Sequence, residues 1–284
     1  MDLIDTHLHL IWRDRFGYGW TAGTPLAAGG FTLADARRLS AGRVTGAIFM
    51  EVGVDDADYQ AEARHVATLV REGALLGQIA SCRPETDAGF ADWLAECAGL
   101  GVVGLRRILH VVPDDVSRSD TFRANIRRIG AAGLPFDMNF LGRTLPIAGE
   151  LARACPDTRF VLDHCGTPDI AAGAFDSWRA GIEALAEIDN IAAVKISGIS
   201  AYATPGTASF DTLTPWMDVV LEAFGPLRLV WGSDWPVVNL GSTMPAWIDT
   251  SLAWLASRLT PAEQAQVAQG NARRIYTLPE PRTP

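Results

Sequence analysis

The sequence predicts an α/β chain folded as one (β/α)8 TIM barrel, a single domain with an additional C-terminal helix. Three observations predict it. Short β-rich runs alternate with longer helical patterns along nearly the whole chain, the signature of parallel βαβ units. The runs number eight, which closes a barrel, and 284 residues suit one such barrel with its loops.

The strands are expected near Leu3 to Asp5, Gly46 to Val52, Leu75 to Ala80, Val102 to Arg107, Pro135 to Asn139, Arg159 to His164, Ile191 to Ser197 and Leu227 to Ser233. The stretch from Trp12 to Gly30 after the first strand is glycine- and aromatic-rich. It is longer than most βα loops and falls on the face where barrels carry activity, so it is placed to cover a site. Asp56 precedes an Ala/Glu/Leu-rich helical pattern, Ser119 precedes a helix over 120–132, and Gly73 and Gly133 stand just past helix ends. After the eighth strand, Thr260-Pro261-Ala262-Glu263 joins a capping box to proline at the first helical position, so a last helix should run to about Tyr276. The barrel is expected to take in 1–278 and the tail 279–284 to be loose.

Hydrophobic residues make up 48% and charged residues 20% of the chain, the balance of a globular protein with a large core. With 24 basic against 33 acidic side chains the net charge is −9, which argues against nucleic acid as a partner. The longest charge-free run, Phe16 to Ala34, is broken by five glycines and Pro25, so no membrane partner or spanning segment is expected. Asp2 and Asp5 stand where a signal peptide needs basic residues. Cys82, Cys97, Cys155 and Cys165 have no CxxC spacing and suit reduced thiols, so a cytoplasmic location is expected. Cys165 is set aside as a nucleophile because strand neighbours face opposite ways and His164 adjoins it.

Chemistry-bearing residues collect at the strand ends. His7 and His9 lie two apart, so an extended backbone turns both imidazoles to one face; the pair alone does not separate metal ligands from hydrogen-bonded core histidines. His110 and His164 also fall at strand ends, whereas His65 reads as a solvated mid-helix residue. His164 is expected to share its face with Leu162, which leaves Asp163 turned away to a supporting role. Asp234 follows the eighth strand, and Pro236 postpones the next helix to around Pro245, so no nearby helix needs a cap; Asp234 is the leading general base.

Asp5-Thr6-His7-Leu8-His9, Leu162-Asp163-His164-Cys165-Gly166 and Gly232-Ser233-Asp234-Trp235-Pro236 resemble, in that order, the motifs of the amidohydrolase superfamily. Met50-Glu51-Val52, Gly104-Leu105-Arg106, Lys195-Ile196-Ser197-Gly198 and Asn271-Ala272-Arg273-Arg274-Ile275-Tyr276 are similar to the branch holding sugar-lactone and pyrone-dicarboxylate lactonases. The resemblance implies that His7, His9, His164 and Asp234 surround one divalent metal, zinc first, or the water it activates, with Glu51 as a further ligand. Dinuclear members bridge their metals with a fourth-strand lysine. Here that strand carries Arg106 and Arg107 and the only lysine is Lys195 on the seventh, which argues against two metals. Members that work without metal leave a metal-independent reaction open.

Arg106 and His110, four apart, suit an oxygen-rich substrate, Arg106 by polarising a carbonyl or clamping an acid. Lys195 is a candidate substrate contact whose bland reading is neutralisation of Asp163 or another barrel carboxylate. Asn139 is a candidate contact or a plain turn residue, and Tyr18 and Trp20 are placed to pack on a sugar ring. The expected function is hydrolysis of a lactone, a small-molecule substrate from carbohydrate metabolism. Non-oxidative decarboxylation of an unsaturated or aromatic acid and a non-catalytic metabolite-binding barrel are the alternatives. The oligomeric state, a homo-oligomer included, is left open.

Overall fold

The computed structural model describes residues 1–278; the expected loose tail lies outside the described residues. Eight strands pair in parallel in chain order: β1 (Leu3–Leu8), β2 (Val44–Met50), β3 (Gly77–Ser81), β4 (Val102–Ile108), β5 (Phe136–Asn139), β6 (Phe160–Leu162), β7 (Ile191–Ile196) and β8 (Leu229–Trp231). The seam between β1 and β8 is closed by single bonds rather than a regular ladder. Thr6 Oγ1 donates to Trp231 O (2.8 Å), Asp234 N to His7 O (2.9 Å) and His9 N to Trp235 O (2.9 Å). Two of the three lie past the end of β8, so the seam runs into the mouth of the barrel.

Helices α1 (Leu33–Ser40), α2 (Tyr59–Arg71), α3 (Phe90–Cys97), α4 (Asp120–Ala131), α5 (Leu145–Ala154), α6 (Phe175–Ala186), α7 (Phe210–Phe224) and α8 (Met244–Arg258) follow the eight strands in turn. Outward residues such as Leu3, Phe49, Leu105, Phe136, Phe160, Leu162, Val194 and Trp231 join the core shared with the helices. Inward Ile4, Ile48, Met50, Ile79, Val161, Ala193 and Val230 form a second cluster with Ala272, Ile275, Tyr276 and Leu278. Each such isoleucine, valine or methionine side chain, fully buried, contributes about 1.5–3 kcal/mol. The last helical stretch, α9 (Pro261–Ala265) running through a π turn over Gln266–Gly270 into α10 (Asn271–Ile275), thereby plugs the base of the barrel. Arg159 Nη1 donates to Ile275 O (3.1 Å) and Asn271 Nδ2 to Leu229 O (2.8 Å), fastening the plug to the strands' N-terminal ends.

Local punctuation agrees with the sequence except at α2 and after Pro236, where a 3-10 turn over Val237–Leu240, with no side-chain cap, comes before α8. Ser119 Oγ accepts from Phe122 N, and Thr260 with Glu263 forms both bonds of the capping box. Asp56 does not cap α2: the helix begins at Tyr59, and Asp56 instead accepts from Arg83 (2.6 Å). The residue at the N-cap position is Asp58, so Asp56 stands two residues too early to cap the helix, and its carboxylate takes the charge-assisted bond from Arg83. His65 is half-buried rather than solvated, its ring 4.7 Å from that of Trp12. Among the described residues no helix is long and apolar enough to cross a membrane.

Candidate active site

Side chains reach the mouth of the barrel through departures from strand alternation as much as through it. In β1, Ile4 packs in the inner cluster, and alternation would then send His7 outward. The β1–β2 register shifts between Asp5 and Leu8, and beyond it His7 and His9 both face inward. Asp5 Oδ1 fixes this turn by accepting from His7 N (3.0 Å) and Ser233 N (2.8 Å). In β6 the inward residue is Val161 and Leu162 faces the helices, so Asp163 points into the barrel. The expectation for this pair is thus corrected. Asp163 faces in by alternation, and His164 does so only because the strand has ended and its backbone turns left-handed (φ +53°). Cys165 lies in the same turn rather than a strand, buried with its Sγ toward Lys195 O, and burial pushes its thiol up to about 12.

Three imidazoles converge on one carboxylate oxygen. Asp234 Oδ1 lies 3.3 Å from His9 Nε2, 3.7 Å from His7 Nε2 and 3.9 Å from His164 Nε2. His9 Nδ1 faces Met50 O (3.0 Å), a pure acceptor, so Nδ1 carries a proton and Nε2 is the atom turned to Asp234. His164 Nδ1 meets Ser197 Oγ (3.0 Å). Gly198 makes this possible: a Cβ there would lie 2.3 Å from His164 Nδ1 and 3.0 Å from Asp234 Oδ2. Asp234 is itself left-handed (φ +55°), and its Oδ1 is buried and accepts no hydrogen bond.

Beneath these groups lies a buried ionic layer. Arg106 donates from Nε to Glu51 Oε1 (2.7 Å) and from Nη1 to Asp163 Oδ2 (3.3 Å), while Nη1 also lies 3.2 Å from His7 Nε2. Lys195 Nζ pairs with Asp137 and with Asp163 Oδ1 (3.2 Å) and reaches His7 Nδ1 (3.2 Å). Tyr276, just past the end of α10, donates to Asp137 Oδ2 (3.0 Å), which links the plug to the layer. Burial would raise the Asp163 carboxyl, but Lys195 and His7 beside it hold it well below the usual range. Burial raises Asp137 to about 6 even against Lys195. Burial, reinforced by Lys195, drives His7 well below the ordinary histidine range, and burial lowers His164 as well. Both rings are neutral at pH 7.

A cavity of about 290 Å³ opens above this floor. His9, Arg106, His110, Asn139, His164 and Asp234 line it, with Trp20 and Tyr202 among its apolar neighbours. His110 Nδ1 and Asn139 Oδ1 are 2.7 Å apart on its wall. Trp20, held by its Nε1 bond to Val52 O (2.8 Å), brings the long first loop over the mouth. Three sequence candidates sit elsewhere. Tyr18 is buried and its hydroxyl accepts from Trp12 N (3.0 Å), which folds the loop on itself. Lys195 is sealed beneath His7, where it neutralises Asp137 and Asp163. Glu51 spends both carboxylate oxygens, one on Arg106 and the other on Gly53 N (2.8 Å). Sequence reading undervalued Asp163 and passed over Ser197, Gly198 and Tyr202; the Lys195–Gly198 motif was the available signal for two of them.

The donor set fits a divalent cation. Lone pairs of neutral imidazoles and a bare carboxylate oxygen repel one another unless a proton, a water or a cation lies among them. The 3.3 Å between His9 Nε2 and Asp234 Oδ1 matches the roughly 3.3 Å edge of a tetrahedron built on metal–donor bonds of about 2.0 Å. His7, His9 and Asp234 form one such group, and His7, Asp163 and His164 another.

Known proteins agree with this architecture. An L-fucono-1,5-lactonase of Burkholderia multivorans is 28% identical over 291 residues, covering 98% of this chain and 97% of the relative. The crystal structure of an amidohydrolase from the same species with bound zinc superposes with a TM-score of 0.89 at 26% identity, over 98% of this chain and all of that one. An amidohydrolase 2 from Bifidobacterium longum subsp. infantis gives 0.73 at 26% identity over the same share of each chain. The amidohydrolase family model matches residues 4–278, and with eight strands, inward histidines and the eighth-strand aspartate in its order, the chain belongs to the amidohydrolase family.

Proposed function

We propose that the protein is a lactonase that opens the cyclic ester of a sugar acid. The observation that carries this reading is the bare Asp234 Oδ1 at the meeting point of three imidazole nitrogens on the floor of a sugar-sized cavity. Asp234 takes a proton from water as the water oxygen bonds to the lactone carbonyl carbon. The ring C–O bond then breaks, and Asp234 returns the proton to the departing alkoxide. His9 and His164, fixed by Met50 O and Ser197, orient the water, and Arg106 lines the floor beside them with its charge shared between Glu51 and Asp163. A divalent ion, zinc by analogy with the Burkholderia relative, would be held by His7, His9, His164 and Asp234 and supplies Lewis-acid polarisation when bound. His110 and Asn139 meet ring hydroxyls, and Trp20 packs on the ring's C–H face. Such a reaction belongs to carbohydrate metabolism, and four buried free thiols suit the cytoplasm.

The substrate is read as uncharged. Among the described residues lining the cavity Arg106 is the sole arginine or lysine, and Glu51 and Asp163 already engage it. A dicarboxylate lactone or the acid substrate of a decarboxylase would meet Asp234 with no free cation to receive it. A panel of aldono-1,4- and 1,5-lactones, carboxylated lactones and aromatic acids, followed with a pH indicator and mass analysis, tests both points. Neutral lactones should gain water at the highest kcat/KM. Loss of carbon dioxide, preference for carboxylated lactones, or binding with no turnover would each sink the reading.

A further inference from the structure

Arg106 stands among the groups that a metal would claim. Its Nε and Nη2 donate to Glu51 Oε1 and Glu51 O, both at 2.7 Å, and Nη1 approaches Asp163 Oδ2 (3.3 Å) and His7 Nε2 (3.2 Å). Arginine offers donors only and keeps its charge, so Nη1 turns an N–H toward Nε2, and the Nε2 lone pair accepts it. His7 then carries its proton on Nδ1, which faces Asp163 Oδ1 at 3.5 Å. Lys195 Nζ, itself a donor only, lies 3.2 Å from Nδ1, but its three N–H groups have Thr6 O, Asp137 and Asp163 Oδ1 as acceptors, whereas Nη1 has only His7 Nε2 beside Asp163 Oδ2. The lone pair given to Arg106 is the one that an ion beside Asp234 Oδ1, 3.7 Å away, would need. The guanidinium also satisfies Glu51 and Asp163, the carboxylates that could have helped to hold a second ion.

We propose that Arg106 is a built-in cation that takes the place of a second metal, limits the site to one divalent ion per chain, and weakens that ion's hold by competing for His7 Nε2. The proposal stands apart from the choice of lactone, because its test reads metal binding and not turnover. Chelator-stripped wild type, Arg106→Met and Arg106→Met/His7→Gln are titrated with Zn2+ against a chromophoric chelator, with circular dichroism as the check on folding. Wild type should saturate at one ion or fewer. Arg106→Met should bind Zn2+ about 10–100-fold more tightly, the range by which changing a ligand's partner alters metal affinity. The double variant should lose that gain.

Two ions on wild type, no gain in Arg106→Met, or a gain that survives loss of His7 would overturn the proposal. Removing one side of a buried ion pair is destabilising. Should Arg106→Met not fold, a wild-type crystal soaked in Zn2+ decides the question. An ion on His9, His164 and Asp234 with Arg106 in place, or an ion on His7 Nε2 with Nη1 displaced, agrees with it. An ion on His7 Nε2 with Nη1 still at hydrogen-bond distance refutes it.

Discussion

Asp234 keeps its carboxylate at the cavity floor by holding a left-handed backbone that costs about 1 kcal/mol or more in a residue with a Cβ. His164, Cys165 and Thr167 share that conformation at the end of β6, and with Asp234 they are four of the six such non-glycine residues among those described. Strain is therefore concentrated at the two strand ends that carry the proposed base and His164. Asp234→Asn keeps the side chain's shape but cannot accept a proton, so kcat should fall by about 10²–10⁴-fold with KM changed little. Thermal unfolding measured beside turnover separates this from a structural role: the variant should melt near wild type. A stable Asn variant with near-normal turnover would remove Asp234 from the chemistry and make His164 the next base to test.

At the scale of elements, the strand ends present the chemistry and the C-terminal helix holds the strands together from below. Ala272, Ile275 and Tyr276 pack against Ile4, Ile79 and Val230, and Tyr276 reaches Asp137 in the ionic layer. The helix starts at a capping box in which Thr260 Oγ1 accepts from Glu263 N (3.4 Å) and Glu263 Oε2 accepts from Thr260 N (2.9 Å). Thr260→Ala should cost about 1 kcal/mol, which lowers Tm by about 2–4 °C in a chain near this size, and should leave kcat unchanged. Scanning calorimetry and an activity assay check the pair of outcomes. An unchanged Tm would mean that the plug melts independently of the barrel.

The molecule as a whole buries charges and neutral histidines together, and this gives its stability a pH dependence of definite sign. His7 and His164 have folded-state pKa values below the unfolded value of about 6.5. The unfolded chain therefore binds more protons as pH falls through that value, and their contribution, present above pH 6.5, is lost below it. Asp137 acts oppositely: raised to about 6, it favours the folded state more as it becomes protonated between pH 6 and 4. Asp163, held low, withdraws its contribution only as pH falls through the ordinary carboxylate range and beyond. In chelator, Tm should drop between pH 7 and pH 6, where the histidines act first. His164→Asn should flatten that drop. A wild-type Tm that is level or rising over this interval would show that the two rings are not held neutral.

The barrel was legible in the chain alone, because alternation of β-rich and helical patterns and the Thr260–Glu263 box are local signals that the fold obeys. So were most residues on the cavity wall, since a residue just past a barrel strand has little choice but to lie at the mouth: His9, Arg106, His110, Asn139, His164 and Asp234 all line it. Strict alternation could not foresee the register shift that turns His7 inward or the left-handed turn that brings His164 beside Asp163 rather than opposite it. Which candidates would be spent on each other was likewise decided by the tertiary structure. Lys195, Glu51 and Arg106 all read along the chain as candidate site residues, Lys195 with neutralisation of a barrel carboxylate as its other reading; barrel closure packs all three against buried counter-charges, because in a low-dielectric interior a charge must take the partner that the fold supplies.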